Sequence, residues 1–229
     1  MTLAVDGVSV SFGTMLALHG VTLSAEPGER LAVIGPNGAG KTTLLDAIGG
    51  LVRPSAGQIT LGGSALSGRS PEAVARLGVA RTFQSARLFP HLTLSANIRC
   101  GRRLDAAPWL ELAGLAARRR ELALALTPGE ARRLELARAL AGNPRLLLLD
   151  EPCGGLSAGE TLAMAALIER ATAPGRIVIL VEHKLGVVRR LCERAVVLHL
   201  GETIFDGPSR SLPADPRVVA AYLGRARSA

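Results

Sequence analysis

Eight residues, Gly35-Pro36-Asn37-Gly38-Ala39-Gly40-Lys41-Thr42, have the types and spacing to cradle a phosphate. Glycines let the backbone turn tightly, so that successive N–H groups, from Gly35 and Asn37 through Gly38, Ala39 and Gly40, can point at one anion. Lys41 reaches the outer phosphate oxygens, Thr42 is placed to hold Mg²⁺, and Thr43 continues the same helix start. The loop lies between an apolar strand, Arg30 to Ile34, and a helix, Lys41 to Ile48, whose dipole adds positive potential. A lysine buried there without an anion would be costly.

Leu146 to Leu149 form a short apolar run ending in Asp150-Glu151, the pattern of a buried parallel strand that delivers two carboxylates to a ligand edge. Beside a phosphate loop, Asp150 suits Mg²⁺ and Glu151 suits polarisation of an attacking water. Leu126-Thr127-Pro128-Gly129-Glu130 is a capping box: Thr127 caps a helix, Pro128 occupies its first turn and Glu130 closes back. That loop starts a helix, and its free glycine amide could also receive an anion from another subunit. Gln84 and His183 carry little meaning alone.

Alternating residues at Val8 to Phe12 and Val21 to Ser24 predict an antiparallel, β-rich start, and Glu26 to Glu29 supplies a turn. From Pro71 to about Ala125 the chain is rich in Ala, Leu and Arg, which predicts an inserted lobe of helices. Strand Leu146 to Leu149, a helix at Glu160 to Ala171, strand Ile177 to Val181, a helix from Leu185 and strand Ala195 to Leu200 then give the rhythm of a parallel sheet with crossover helices. No repeat or linker divides the chain.

The 229 residues, 48% hydrophobic, suffice for one sizeable core. No apolar run approaches the roughly 18 to 20 residues that span a bilayer. The N-terminal stretch, interrupted by Asp6, predicts no secretory signal and a cytosolic chain. A net charge of +8 admits nucleic acid, anionic membrane or phosphate. Lys41 and Lys184 are the only lysines, so the excess is arginine and reads as compositional bias, with Arg118 to Arg120 a solvated helix face. Aromatic residues, at 3%, supply few base-stacking platforms, and no nucleic-acid partner is expected. Cys100, Cys153 and Cys192 lack paired spacing, which predicts reduced, mostly buried thiols rather than a disulfide or zinc framework.

In order, the phosphate loop, Gln84, Leu126 to Glu130, Asp150-Glu151 and His183 resemble the full motif set of ABC-type ATPases across essentially the whole chain. The resemblance implies an α/β fold: a P-loop NTPase core of ABC type, with a mixed sheet, crossover helices, an N-terminal antiparallel β part and an inserted, shortened helical subdomain. Residues 1–229 would form one nucleotide-binding domain, with the subdomain at about 85–140. ATP and Mg²⁺ are the implied cofactors. Two such subunits, alike or different, would dimerise head to tail, each ATP lying between one phosphate loop and the partner's Thr127, Gly129 and Glu130.

By the same resemblance Phe12 stacks on adenine, Gln84 senses the γ-phosphate through Mg²⁺, and His183 positions that phosphate and the water. Gly78 to Phe89, Val181 to Leu185 and Val218 to Gly224 look like subunits serving branched-chain amino acid importers. That implies integral membrane permease subunits, a periplasmic or lipoprotein solute-binding protein, and a peripheral position on the cytoplasmic face of the cell membrane.

Three departures stand out. Thr-Pro-Gly-Glu replaces the family's Ser-Gly-Gly-Gln, Ser157 stands where an aspartate is usual, and the stretch between Gln84 and Leu126 is short. Pro128 and Ser157 leave open a regulatory partner that does not hydrolyse ATP, against which stand Glu151 and His183. The basic charge alone favours a soluble ABC-type ATPase acting on nucleic acid or ribosomes.

Overall fold

A computed structural model of the chain describes residues 1–172 and 175–223; Gly224, which closes the Val218 to Gly224 stretch, lies outside the described residues. Two alternating strands, β1 (Leu3–Phe12) and β2 (Met15–Ala25), pair antiparallel and bury Val8, Val10, Val21 and Leu23. The chain then turns through Glu26 to Glu29 into β3 (Arg30–Ile34), α1 (Lys41–Ile48), β4 (Ala56–Leu61) and β5 (Ser64–Ala65). β4 pairs with β1, giving a four-stranded antiparallel sheet in the order β2-β1-β4-β5.

After α2 (Pro71–Arg76) comes β6 (Val79–Arg81), followed by α3 (Leu94–Arg99), α4 (Ala107–Leu112) and α5 (Pro128–Leu140). The remainder alternates: β7 (Leu146–Asp150), α6 (Ala158–Ala171), β8 (Ile177–Val181), α7 (Leu185–Leu191), β9 (Arg194–His199), β10 (Glu202–Pro208) and α8 (Pro216–Leu223). The second sheet runs β10-β9-β3-β8-β7-β6, parallel throughout except for the antiparallel edge strand β10.

The central strands are buried on both faces, which is why they read as unbroken apolar runs. On one face Leu31, Val33, Leu146 and Leu148 pack with α1 and the antiparallel sheet. On the other, Ala32, Ile34, Leu147 and Leu149 pack with α5, α6 and α7. A third core joins Leu94, Ile98 and Leu110 to Leu134 and Ala137 of α5. α5 therefore belongs to two cores at once. Among the described residues no helix is long and apolar enough to cross a membrane.

The structure corrects the reading in three places. β6 interrupts the stretch expected to be helical: its three residues pair with β7, and Thr82 N donates to Leu148 O at 2.9 Å. Three residues are too few for a periodic pattern, and this strand exists because β7 offers an edge. Of Arg118 to Arg120, Arg119 and Arg120 are exposed as expected, whereas Arg118 is half-buried and pairs with Glu121 at 2.8 Å and Glu130 at 2.6 Å. Leu200 leaves the strand in a left-handed turn, φ +49°, ahead of β10. Cys153 and Cys192 are buried, whereas Cys100 is exposed.

Gly35, where β3 becomes the phosphate loop, has φ +149°, and a Cβ there would lie 2.1 Å from the main-chain oxygen of Leu198 in β9. Neither backbone can yield without breaking sheet pairing. Gly35→Ala is expected to lower stability by about 2 to 3 kcal/mol, read as a lower urea midpoint at unchanged m-value.

Candidate functional site

The phosphate loop leaves β3 and delivers Lys41 as the first residue of α1. Gly40 caps that helix in a left-handed conformation, with no side-chain cap hydrogen bond. Lys41 is 6% exposed, and its Nζ donates to the Gly35 and Pro36 carbonyls at 2.8 and 2.9 Å. The ammonium is thus pinned over its own loop at an uncapped helix N-terminus, where an anion is favoured.

Phe12, Met15 and Leu16 project from the β1–β2 hairpin at 48%, 61% and 48% exposure. With Asn37, Gly38, Gly40, Lys41, Thr42 and Thr43 on one side and Gln84 and Glu151 on the other, they line an open cleft of about 380 Å³. Its apolar end offers a flat aromatic face, and its polar end the phosphate loop and a carboxylate. Gly35 and Ala39 do not line it. Ala39 turns inward, its side chain in the core and its N–H on Pro36 O at 3.2 Å, so it shapes the loop.

β7 carries the carboxylates to the cleft. Asp150 is 2% exposed; Thr42 Oγ1 donates to its Oδ1 at 3.5 Å and Arg81 Nη2 to its Oδ2 at 3.0 Å. Arg81 also pairs with Asp46 of α1 at 2.5 Å. Burial pushes the Asp150 carboxyl above the usual range, and the Arg81 charge opposes that shift without cancelling it. Thr42 and Asp150 form a pair of hard oxygen donors, the chemistry Mg²⁺ takes together with phosphate oxygens and water.

One residue further, the chain turns out of the strand. Glu151 has φ +47°, uncommon for a residue with a side chain, and its N–H donates to Val181 O at 3.0 Å. Gln84 Nε2 donates to its Oε2 at 3.0 Å, and His183 Nε2 lies 2.5 Å from its Oε1. Burial pushes this carboxyl up, but the hydrogen bonds from His183 and Gln84 and the charges of His183 and Lys41 outweigh it and hold Glu151 below its ordinary range. Glu182, 1% exposed, fixes the corner by accepting from the N–H groups of Cys153 at 2.8 Å and His183 at 3.0 Å.

Thr127 Oγ1 accepts from Glu130 N at 3.3 Å and Glu130 Oε2 from Thr127 N at 2.9 Å, completing the capping box. None of Thr127, Gly129 and Glu130 lines the cleft of the same chain. Gly129 is buried, and a Cβ there would meet Glu160 Oε1 at 2.4 Å. Ser157 caps α6 through that same glutamate, so the departing Ser157 keeps a local role.

A family profile described as ABC transporter matches residues 18–154. The chain is 36% identical to the high-affinity branched-chain amino acid transport ATP-binding protein BraF of Pseudomonas aeruginosa and 35% identical to LivG of Escherichia coli, covering 98% of this chain and of each relative. This chain belongs to the ABC transporter family. Solved ATP-binding cassettes of ABC transporters agree in fold: a nucleotide-free one with TM-score 0.89 at 25% identity over 97% of this chain and 99% of that one, and an ADP-bound one with 0.89 at 26% over 98% and 99%. A dimeric cassette in a post-hydrolysis state with ADP and phosphate gives 0.81 at 26% over 91% and 99%. The cassette binds and hydrolyses ATP.

Arg81, Glu182 and Arg132, which donates to Gln84 O and Glu151 O, were not legible as site residues. Arg81 is testable on its own. Arg81→Met leaves Asp150 buried without its counter-charge and is expected to cost about 3 kcal/mol near neutral pH. The loss should shrink as pH falls through the titration of Asp150, which lies above the usual carboxylate range and higher still without Arg81, because a protonated Asp150 needs no cation. Urea unfolding of both proteins across pH reads this out.

Proposed function

We propose that this ABC cassette powers a separate integral membrane permease importing branched-chain amino acids or a similar polar solute. It would work on the cytoplasmic face of the membrane, as a dimer with itself or a second ABC ATPase, with a periplasmic or lipoprotein solute-binding protein in the same system. The observation that carries the reading is the Glu151 carboxylate, gripped by Gln84 and His183 on the rim of the cleft that holds Lys41 and Thr42. The importer assignment is supported by the identity to the two amino acid transport subunits along almost the whole chain.

In this reading residues 1–229 form one nucleotide-binding domain, and the helices within about 85–140 form a subdomain that presents Thr127, Gly129 and Glu130 to the nucleotide of a second cassette. Phe12 stacks on the base, and Asn37 to Gly40, Lys41 and Thr43 hold the phosphates. Gly35 and Ala39 set the loop's shape. Thr42, Asp150 and Gln84 would hold Mg²⁺, which when bound neutralises charge on the phosphate oxygens. Glu151, held ionised by its neighbours, orients water and accepts its proton. His183 keeps that carboxylate aimed and reaches toward the γ-phosphate. The incompleteness of the site within one chain supports the dimer, because the capping-box loop has no part in its own cleft.

Glu151→Gln should cut turnover by roughly 10² to 10⁴ with ATP binding intact, and unchanged hydrolysis removes Glu151 from its role. Lys41→Ala should abolish tight binding; unaltered affinity in titration calorimetry would refute the phosphate assignment. Affinity purification from native membranes in mild detergent, with mass spectrometry, should recover permease subunits and the partner ATPase. A soluble complex with ribosomal proteins or nucleic acid would overturn the transport reading.

A further inference from the structure

α5 turns three polar side chains toward the segment after β6, at positions one helical turn apart. Glu135, 2% exposed, accepts from Arg87 N at 2.8 Å. Arg138 donates to the Arg87 carbonyl. Arg132 does something different, because its guanidinium spans two separate stretches of chain: Nη2 donates to Gln84 O at 3.0 Å and Nη1 to Glu151 O at 2.6 Å. The Glu151 carbonyl also accepts from Gly154 N at 3.0 Å.

The two residues whose carbonyls Arg132 joins are those whose side chains meet at the cleft, Gln84 Nε2 on Glu151 Oε2. Side chains hold the pair together on the cleft side, and Arg132 holds the main chains together from behind. The Glu151 backbone needs such support, since φ +47° is a conformation that persists only where surroundings impose it. A planar guanidinium offers two divergent N–H directions to two carbonyls, which a lysine ammonium cannot match with the same geometry.

We propose that Arg132 is a positioning residue for ATP hydrolysis, fixing the main-chain corner from which Glu151 and Gln84 act and tying that corner to α5. The proposal rests on the reading of Glu151 as the group that activates water. Because Arg132 lies three residues beyond Gly129, movement of the α5 N-terminus is passed to the corner through one side chain.

The test is a double-mutant cycle on the full chain, by single-turnover hydrolysis of MgATP with protein in excess and nucleotide affinity measured alongside. Arg132→Met is expected to slow hydrolysis about 10- to 100-fold, the scale of an ångström-size misplacement of a reacting group, with ATP affinity within about two-fold. Arg132→Lys should recover part of the rate. In the Glu151→Gln background Arg132→Met should cost clearly less than in the wild type, since the carboxylate at the corner it fixes is already lost. An equal fold-loss in both backgrounds, or an unchanged rate in the single variant, overturns the proposal. Wild-type hydrolysis by Glu151→Gln alone would instead sink the reading beneath it. Should Arg132→Met fail to fold, Arg132→Lys completes the same cycle.

Discussion

Asp150 ends a strand whose four leucines are fully buried, so its charge must be answered at the point where the strand stops. Burial alone would favour the neutral acid, and the group that opposes this is Arg81 at 3.0 Å. Arg81 can reach only because β6 lies against β7, and it is further anchored by Asp46 in the second turn of α1. Three residues on, the same segment places Gln84 over Glu151. One arginine with its two carboxylates therefore ties together the phosphate-loop helix, the carboxylate strand and the segment that carries Gln84 to the cleft.

What was legible from sequence was what is locally determined. The bounds of β3, α1 and β8 coincide with the strands and helix read from apolar runs and the glycine loop, since burial on both faces writes itself into consecutive residues. The Thr127 capping box was equally visible, because its partners are three residues apart. β6 was not visible, because its pairing partner lies far along the chain and three residues carry no period.

The arginines show the same limit more sharply. Read from composition, they were a bias. In the structure Arg81 meets two carboxylates, Arg118 braces Glu130, Arg132 bridges two carbonyls, and Arg176, 8% exposed, donates to Pro144 O at 2.8 Å. Each contact joins segments that sequence keeps apart, and an arginine's type says nothing about which carbonyl or carboxylate it will find. Much of the excess basic charge is therefore a means of holding irregular backbone, which weakens charge as an argument for a polyanionic partner.

α5 gathers these threads. It packs through Leu136 and Leu140 into the core beneath the parallel sheet and through Leu134 and Ala137 into the core of the helical lobe, so neither core can shift without it. Its N-terminus is held by Arg118 on Glu130 and covered by Glu160 over Gly129. A carboxylate at that end is favoured by the helix dipole for the reason a phosphate would be, and the two cannot occupy the same place without repulsion. In the proposed dimer an anion brought to Gly129 would meet the Glu160 carboxylate of α6 at the start of a helix that Arg132 fastens to the carbonyls of Gln84 and Glu151.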